Sequence, residues 1–278
     1  MNLALLILLT HVFAAIGLSQ LYLRRYPLAR PSLGVLNLWD VGLMLAGIVL
    51  IPYFYLALPR WAAALVAGAA MLGILGMTWE PVLRARPLIW LASLALAGAD
   101  IGAALAFGAT SGSFFAINNA VLVVGTVGVA NLWAQSGLKA RDLAVLAGAL
   151  TLYDFVFTSK LPLMTDLFSR LSALPFAPML AWPTGNAGHW VALGLGDLLM
   201  AAAAPLVMGK AYGRAAAFSA AVLSFGAILC VVLLPLTAAF PVMVVLGPLT
   251  VLQYFYWRKQ RGAERTTREY LCEEPLRA

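Results

Sequence analysis

The run VALGLGDLLMAAAAPLV, residues 191–207, carries a single charge, Asp197, in an otherwise apolar stretch. Extended to 189–209, it would rise about 30 Å as a helix, the thickness of a bilayer's hydrocarbon layer. It is therefore read as a membrane span. That reading raises a difficulty, because an ionised carboxylate inside the hydrocarbon layer is expensive. The difficulty recurs 43 positions earlier, where ALTLYDFVFTSKLPLM, residues 149–164, encloses Asp154 in apolar and aromatic residues.

The rest of the chain has the same character. Of 278 residues, 63% are hydrophobic and 10% charged, against about 25% charged in soluble domains. Apolar runs of about 20 residues recur between short polar breaks, as in a polytopic helical membrane protein. The alternating short segments of a membrane β-barrel are not seen. Nine spans are expected, near 2–22, 36–57, 61–79, 87–107, 114–135, 142–159, 189–209, 214–236 and 241–257. The expected fold is an all-α membrane domain over 1–278. Spans one to five, about 2–135, form a scaffold, and spans six to nine, about 142–257, hold the chemistry. Residues 258–278 read as a basic, mobile tail. Most linkers are short, which makes consecutive helices neighbours. The exception is Lys160 to Gly188, rich in proline and aromatic residues. The opening MNLALLILLTHVFAAIGLSQ lacks the basic start of a signal peptide and reads as the first span, with cleavage near Ala15 to Gly17 as the alternative.

The net charge of +7 could suggest nucleic acid, but its placement has another cause. With nine spans alternating, 15 of the 18 Lys and Arg residues fall on one side. Arg60, Lys160 and Arg170 alone fall on the other. The positive-inside rule then puts the N-terminus outside and the C-terminus in the cytoplasm. The implied partner is the lipid bilayer, not nucleic acid. Cys230 in a span and Cys272 in the tail make no disulfide framework. No cluster has metal-ligand spacing, so neither a metal nor an organic cofactor is expected. The tail's basic residues could meet anionic headgroups, although a topology anchor explains them equally.

Asp154 lies 13 residues after Arg141 on an outward span, and Asp197 lies 13 before Lys210 on the next, inward one. Both are therefore about 20 Å from the cytoplasmic flank. Equal depth on consecutive antiparallel helices lets the two carboxylates face each other. Such a pair can hold one proton between them, one group acting as acid and the other as base. That is the chemistry of aspartic proteolysis; a proton or cation pathway could use the same pair. Gly194-Leu195-Gly196 removes side chains just before Asp197, which admits another backbone and weakens the helix. Glycine also serves as packing surface in membrane helices.

These residues resemble the intramembrane aspartyl proteases, the family of signal peptide peptidases and presenilins. Tyr153-Asp154 matches its YD motif in the sixth span, and Gly194 to Asp197 matches GxGD in the seventh. YDFVF (153–157) is similar to the peptidase branch's pattern after the first aspartate. APMLAWP (177–183) resembles a segment that precedes GLGD there. Pro241-Val242-Met243 stands where the family has PAL, and Pro248 follows at the branch's usual spacing. The outside N-terminus also suits the peptidase branch. The resemblance covers spans six to nine; spans one to five match in number and character only.

The resemblance implies that Asp154 and Asp197 are catalytic. It implies positioning roles for Tyr153, Gly194, Leu195, Gly196, Pro241, Val242 and Met243, with Tyr153 hydrogen-bonded so as to orient the dyad. The implied substrates are transmembrane helices, such as signal-peptide remnants or type II anchors. A compact chain of this kind suggests a prokaryotic plasma membrane. A proton-coupled transporter is the alternative, but its expected internal repeat is not visible in spans one to five. Prepilin-type peptidases also use GxGD aspartates, typically followed soon by lysine, whereas Leu198-Leu199-Met200 follows here. Asp40 reads as interfacial, and Asp100 as a group bonded within the bundle. Asn118, Asn119 and Asn131 read as interhelical hydrogen-bonding groups. His11 and His189 have no partner pattern for a metal.

Overall fold

The computed structural model describes residues 3–26, 36–159, 163–172, 174–184, 190–234 and 241–265. The helices are α1 (Leu3–Arg25), α2 (Leu38–Ala57), α3 (Arg60–Leu83), α4 (Arg86–Phe107), α5 (Gly112–Gln135), α6 (Ala140–Ser159), α7 (Leu163–Leu171), α8 (Leu195–Tyr212), α9 (Arg214–Leu233) and α10 (Met243–Arg261). Strands β1 (Met179–Pro183) and β2 (Trp190–Gly194) lie between α7 and α8. Six helices, α1 to α5 and α9, are long and apolar enough to cross a membrane. The protein is thus a predominantly helical integral membrane protein.

Local signals explain many of the boundaries. Asn37 accepts from Trp39 N–H while Asp40 accepts from Asn37 N–H, a reciprocal cap at the start of α2. This gives Asp40 its place at a helix end. Ser111 caps α5 by accepting from Phe114 N–H, and α4 opens with proline in its first turn, where the missing N–H is harmless.

Helices α5 and α8 form the centre of the bundle. From Leu198 to Tyr212 nearly every residue of α8 is buried, including the run Ala201 to Ala204. These small side chains let α8 lie closely against α5 and α9. Large apolar residues on α2, α3 and α4, such as Leu43, Leu65 and Leu91, face outward, where lipid replaces the missing protein neighbours. Asn131 donates to Ser19 O, joining α5 to α1 in the interhelical role expected of it.

The predominantly helical fold also carries an antiparallel hairpin, with Met179 opposite Gly194, Ala181 opposite Ala192 and Pro183 opposite Trp190. The expected seventh span over 189–209 is consequently strand over 190–194, and its helix starts only at Leu195. An apolar run of five residues suits a buried strand as well as a helix, and pairing with β1 decides. The basic tail also begins later than Arg258. Helix α10 continues to Arg261, and Gly262 to Arg265 fold back onto the bundle. Arg30, Lys160, His189, Cys272 and the tail beyond Arg265, on which earlier expectations fall, lie outside the described residues.

Strand edges inside a membrane need hydrogen-bond partners. The outer edge of β1 finds them on α5. Asn119 donates to Ala181 O at 2.9 Å and accepts from Ala181 N–H at 3.0 Å, standing in for a neighbouring strand. Asn118 donates to Ala177 O and Met179 O. These two asparagines therefore pair with a strand and not with another helix. At the base of the hairpin, Asp100 of α4 accepts from Phe176 N–H at 2.8 Å. It holds Phe176 at φ 59°, a left-handed conformation that needs such support.

Candidate active site

Three chain segments converge on one point. Asp154 lies on α6, Asp197 in the first turn of α8, and Met243 is the first residue of α10. The two carboxylates are near enough for Asp197 to feel the charge of Asp154. The start of α10 brings the backbone N–H of Met243 close to both of them. A helix leaves its first N–H groups without partners inside the helix, and its N-terminus carries a partial positive charge. No side chain caps α10. The two aspartates approach that end, one from each neighbouring helix. Both residues keep partial exposure.

Gly194 and Asp197 are joined by local geometry. Gly194 ends β2 and is the residue immediately before α8, which makes Asp197 the third helical residue. Gly194 N–H lies beside the Asp197 carboxylate, the third residue of the helix. A Cβ on Gly194 would lie 3.2 Å from Asp197 Oδ2 and 3.6 Å from the Phe168 ring. The absence of a side chain lets the carboxylate sit there. Gly196 is exposed, with nothing within 4 Å of a Cβ position. It leaves open surface beside Asp197. Leu195 N–H donates to Pro178 O, tying the start of α8 to the hairpin.

That same bond sets which way the strand groups point. In an antiparallel pair, bonded and non-bonded partners alternate. With Leu195 bonded to Pro178, the main-chain groups of Ala181 point away from β2, as their bonds to Asn119 require. Those of Ala192, opposite, point away from β1. Ala192 is exposed, and among the described residues no backbone bond reaches it from another segment. The outer edge of β2 is thus open next to the aspartates.

Tyr153 departs from expectation. Its hydroxyl donates to Ile48 O on α2 at 3.2 Å, not to the dyad. Pro52, inside α2, has no N–H with which to bond Ile48 O four residues back. The tyrosine supplies the missing donor, and its ring stacks on Phe157 at 4.6 Å. Pro241 and Val242 are buried at the mouth of α10. Pro241 O accepts from Val244 N–H and Val242 O accepts from Leu246 N–H, so these two carbonyls serve the start of the helix.

Sequence reasoning passed over Thr151, one turn before Asp154 on the same face of α6. Its hydroxyl lies 2.9 Å from Ala147 O and 3.1 Å from Met243 O. The Met243 carbonyl thus lies beside Thr151, one turn from Asp154. The i, i+3 spacing was the available signal. Comparison with protein-family models returns no match, and comparison with curated proteins returns none. Among the described residues no three His, Cys, Asp or Glu side chains gather as a metal site would require.

Proposed function

We propose that the protein is an intramembrane aspartyl protease, as the motif resemblance suggests, with Asp154 and Asp197 as its catalytic dyad. The observation that carries this reading is the meeting of two carboxylates, from two different helices, at the start of a third. The partial positive charge of that helix end favours two acids that would otherwise repel. With one proton between them, the ionised carboxylate takes a proton from water as the water attacks the scissile carbonyl. The protonated partner gives its proton to the carbonyl oxygen. Collapse of the tetrahedral intermediate then returns a proton to the leaving amine. Either aspartate can fill either role.

A helical substrate hides its amides from water, so it must unwind before hydrolysis. The open edge at Ala192 supports this step, because an extended peptide can pair with an exposed strand. Gly194, Leu195 and Gly196 leave room for it beside the acid, and Pro241 to Met243 line the opposite side. Substrates are single transmembrane helices, such as signal-peptide remnants or type II anchors. Nine of the described helices have 18 or more residues, which supports nine spans. The distribution of basic residues supports an outside N-terminus and a cytoplasmic C-terminus. The proposed location is a prokaryotic plasma membrane.

The test is incubation of purified protein in liposomes with a labelled transmembrane peptide. Wild type should cut it internally, and Asp154→Asn and Asp197→Asn should each retain less than a few per cent of the rate, while remaining folded. Higher residual activity in either variant sinks the assignment. Wild-type protein that moves protons across the liposome membrane and cuts nothing would make the pair a relay.

A further inference from the structure

The three helices that meet at the aspartates are also tied together at their far ends, by one short segment. After α10 the chain turns at Gly262, φ 75°, a conformation that favours glycine. It then runs back across the bundle. Ala140 N–H, the first of α6, donates to Glu264 Oε2 at 2.8 Å. Arg265 donates through its backbone N–H to Ala211 O at 3.1 Å and through its guanidinium to Gly209 O at 3.0 Å, both in the last turn of α8. An acid thus meets a helix N-terminus and a base meets a helix C-terminus, each the favourable sign for the helix dipole. Beside them, Lys210 is 3% exposed and donates to Ala134 O and Leu138 O, which fixes the turn leading into α6.

The geometry points to Glu264 and Arg265 as positioning residues that set the lengthwise register of α6, α8 and α10, and hence the meeting of Asp154, Asp197 and Met243 N–H. The clasp lies about 20 Å from either aspartate along α6 or α8, so neither residue touches substrate. Helices transmit lengthwise displacement nearly rigidly. Hydrogen bonding depends steeply on distance and angle, so a small slip of α10 would alter how the Met243 N–H meets the two carboxylates. The aspartates cannot follow, because each is fixed on its own helix.

The kinetic arm of the test rests on the protease reading, and a second arm does not. In the liposome assay, Glu264→Ala and Arg265→Ala should each lower kcat about fivefold or more with KM within twofold. Glu264→Gln keeps an acceptor for Ala140 N–H and should retain at least half of wild-type kcat. Spin labels at Leu152 on α6 and Leu252 on α10, exposed by 69% and 63%, report register directly. Their distance should shift or broaden in both alanine variants and match wild type in Glu264→Gln. Wild-type protein that cuts no peptide yet shows this pattern of distances removes the protease reading and leaves the clasp standing. Unchanged distances in folded alanine variants overturn the clasp, whatever the cleavage rates. Should an alanine variant fail to fold, a Glu264→Gln variant with a shifted distance or reduced kcat overturns it as well.

Discussion

Thr151 and Gly247 bring α6 and α10 into close contact. A Cβ built on Gly247 would collide with Thr151 Oγ1 and stand 2.7 Å from Ala147 O. The crossing lies one turn from both Asp154 and Met243, so the spacing of the two helices here determines whether the Met243 N–H reaches the carboxylates. Gly247→Ala should force the helices apart and cost about 1–3 kcal/mol, the usual range for overpacking. Thermal unfolding in detergent measures this, and cleavage should fall with it. Adding Thr151→Ala removes the nearer obstacle, leaves the Ala147 carbonyl, and should restore part of the loss. A Gly247→Ala protein as stable as wild type would show that the crossing is looser than described.

The bond from Tyr153 to Ile48 O predicts coupling with Pro52. Tyr153→Phe deletes the only described side-chain donor to that carbonyl and should cost about 1 kcal/mol. Replacing Pro52 by alanine restores an N–H that can bond Ile48 O within α2. In that background Tyr153→Phe should cost little. A double-mutant cycle on thermal stability gives the coupling energy. Additive effects would separate the two residues. Because the hydroxyl does not bond the dyad, Tyr153→Phe should reduce cleavage no more than its stability loss implies.

The long helices were legible because each one is a separate apolar run with polar breaks, and a run's length needs no partner to be read. The starts of the expected helices fall within a few residues of expectation except at α8, and α7 lies in a segment expected as a linker. The hairpin was illegible for a physical reason. WVALG and MLAWP are apolar in either conformation, and β1 is completed by Asn118 and Asn119, some 60 residues earlier in the chain. Such pairing leaves no local trace. The two aspartates stood out because charge inside hydrocarbon is expensive wherever it occurs. The helix end they meet did not, since a backbone N–H belongs to every residue and only the start of α10 singles out Met243.

Asn119 tests the hairpin. It is completely buried and makes both main-chain bonds of Ala181 on the α5 side. Asn119→Leu keeps the volume close but leaves a buried N–H and a buried carbonyl without partners. Each such group costs about 1–3 kcal/mol. The variant should therefore be among the least stable single substitutions in the molecule, with accelerated amide exchange at Ala181. Asn119→Asp retains an acceptor for the N–H but loses the donor to Ala181 O, and should rank between the two. Ordinary stability and unchanged exchange in Asn119→Leu would mean that β1 has another partner.

The sharpest test concerns Met243, because its role there is a main-chain one. The side chain is 3% exposed and packs in the core, so Met243→Leu, nearly equal in volume, should cleave close to the wild-type rate. Proline at the first helical position is normally tolerated, but Val242 here is helical at φ −63°, ψ −31°, a conformation that a following proline disfavours. An amide-to-ester replacement of the Val242–Met243 peptide avoids that strain. It exchanges the N–H for an oxygen and leaves the side chain and the rest of the helix in place. Hydrogen bonds to charged groups contribute about 1.5–3 kcal/mol, which corresponds to a roughly ten- to hundredfold fall in kcat if this N–H bonds the ionised dyad in the transition state. Substrate affinity should change little. An ester protein with wild-type kcat would show that the two aspartates hold their geometry without this donor, and the start of α10 would then contribute to the fold alone.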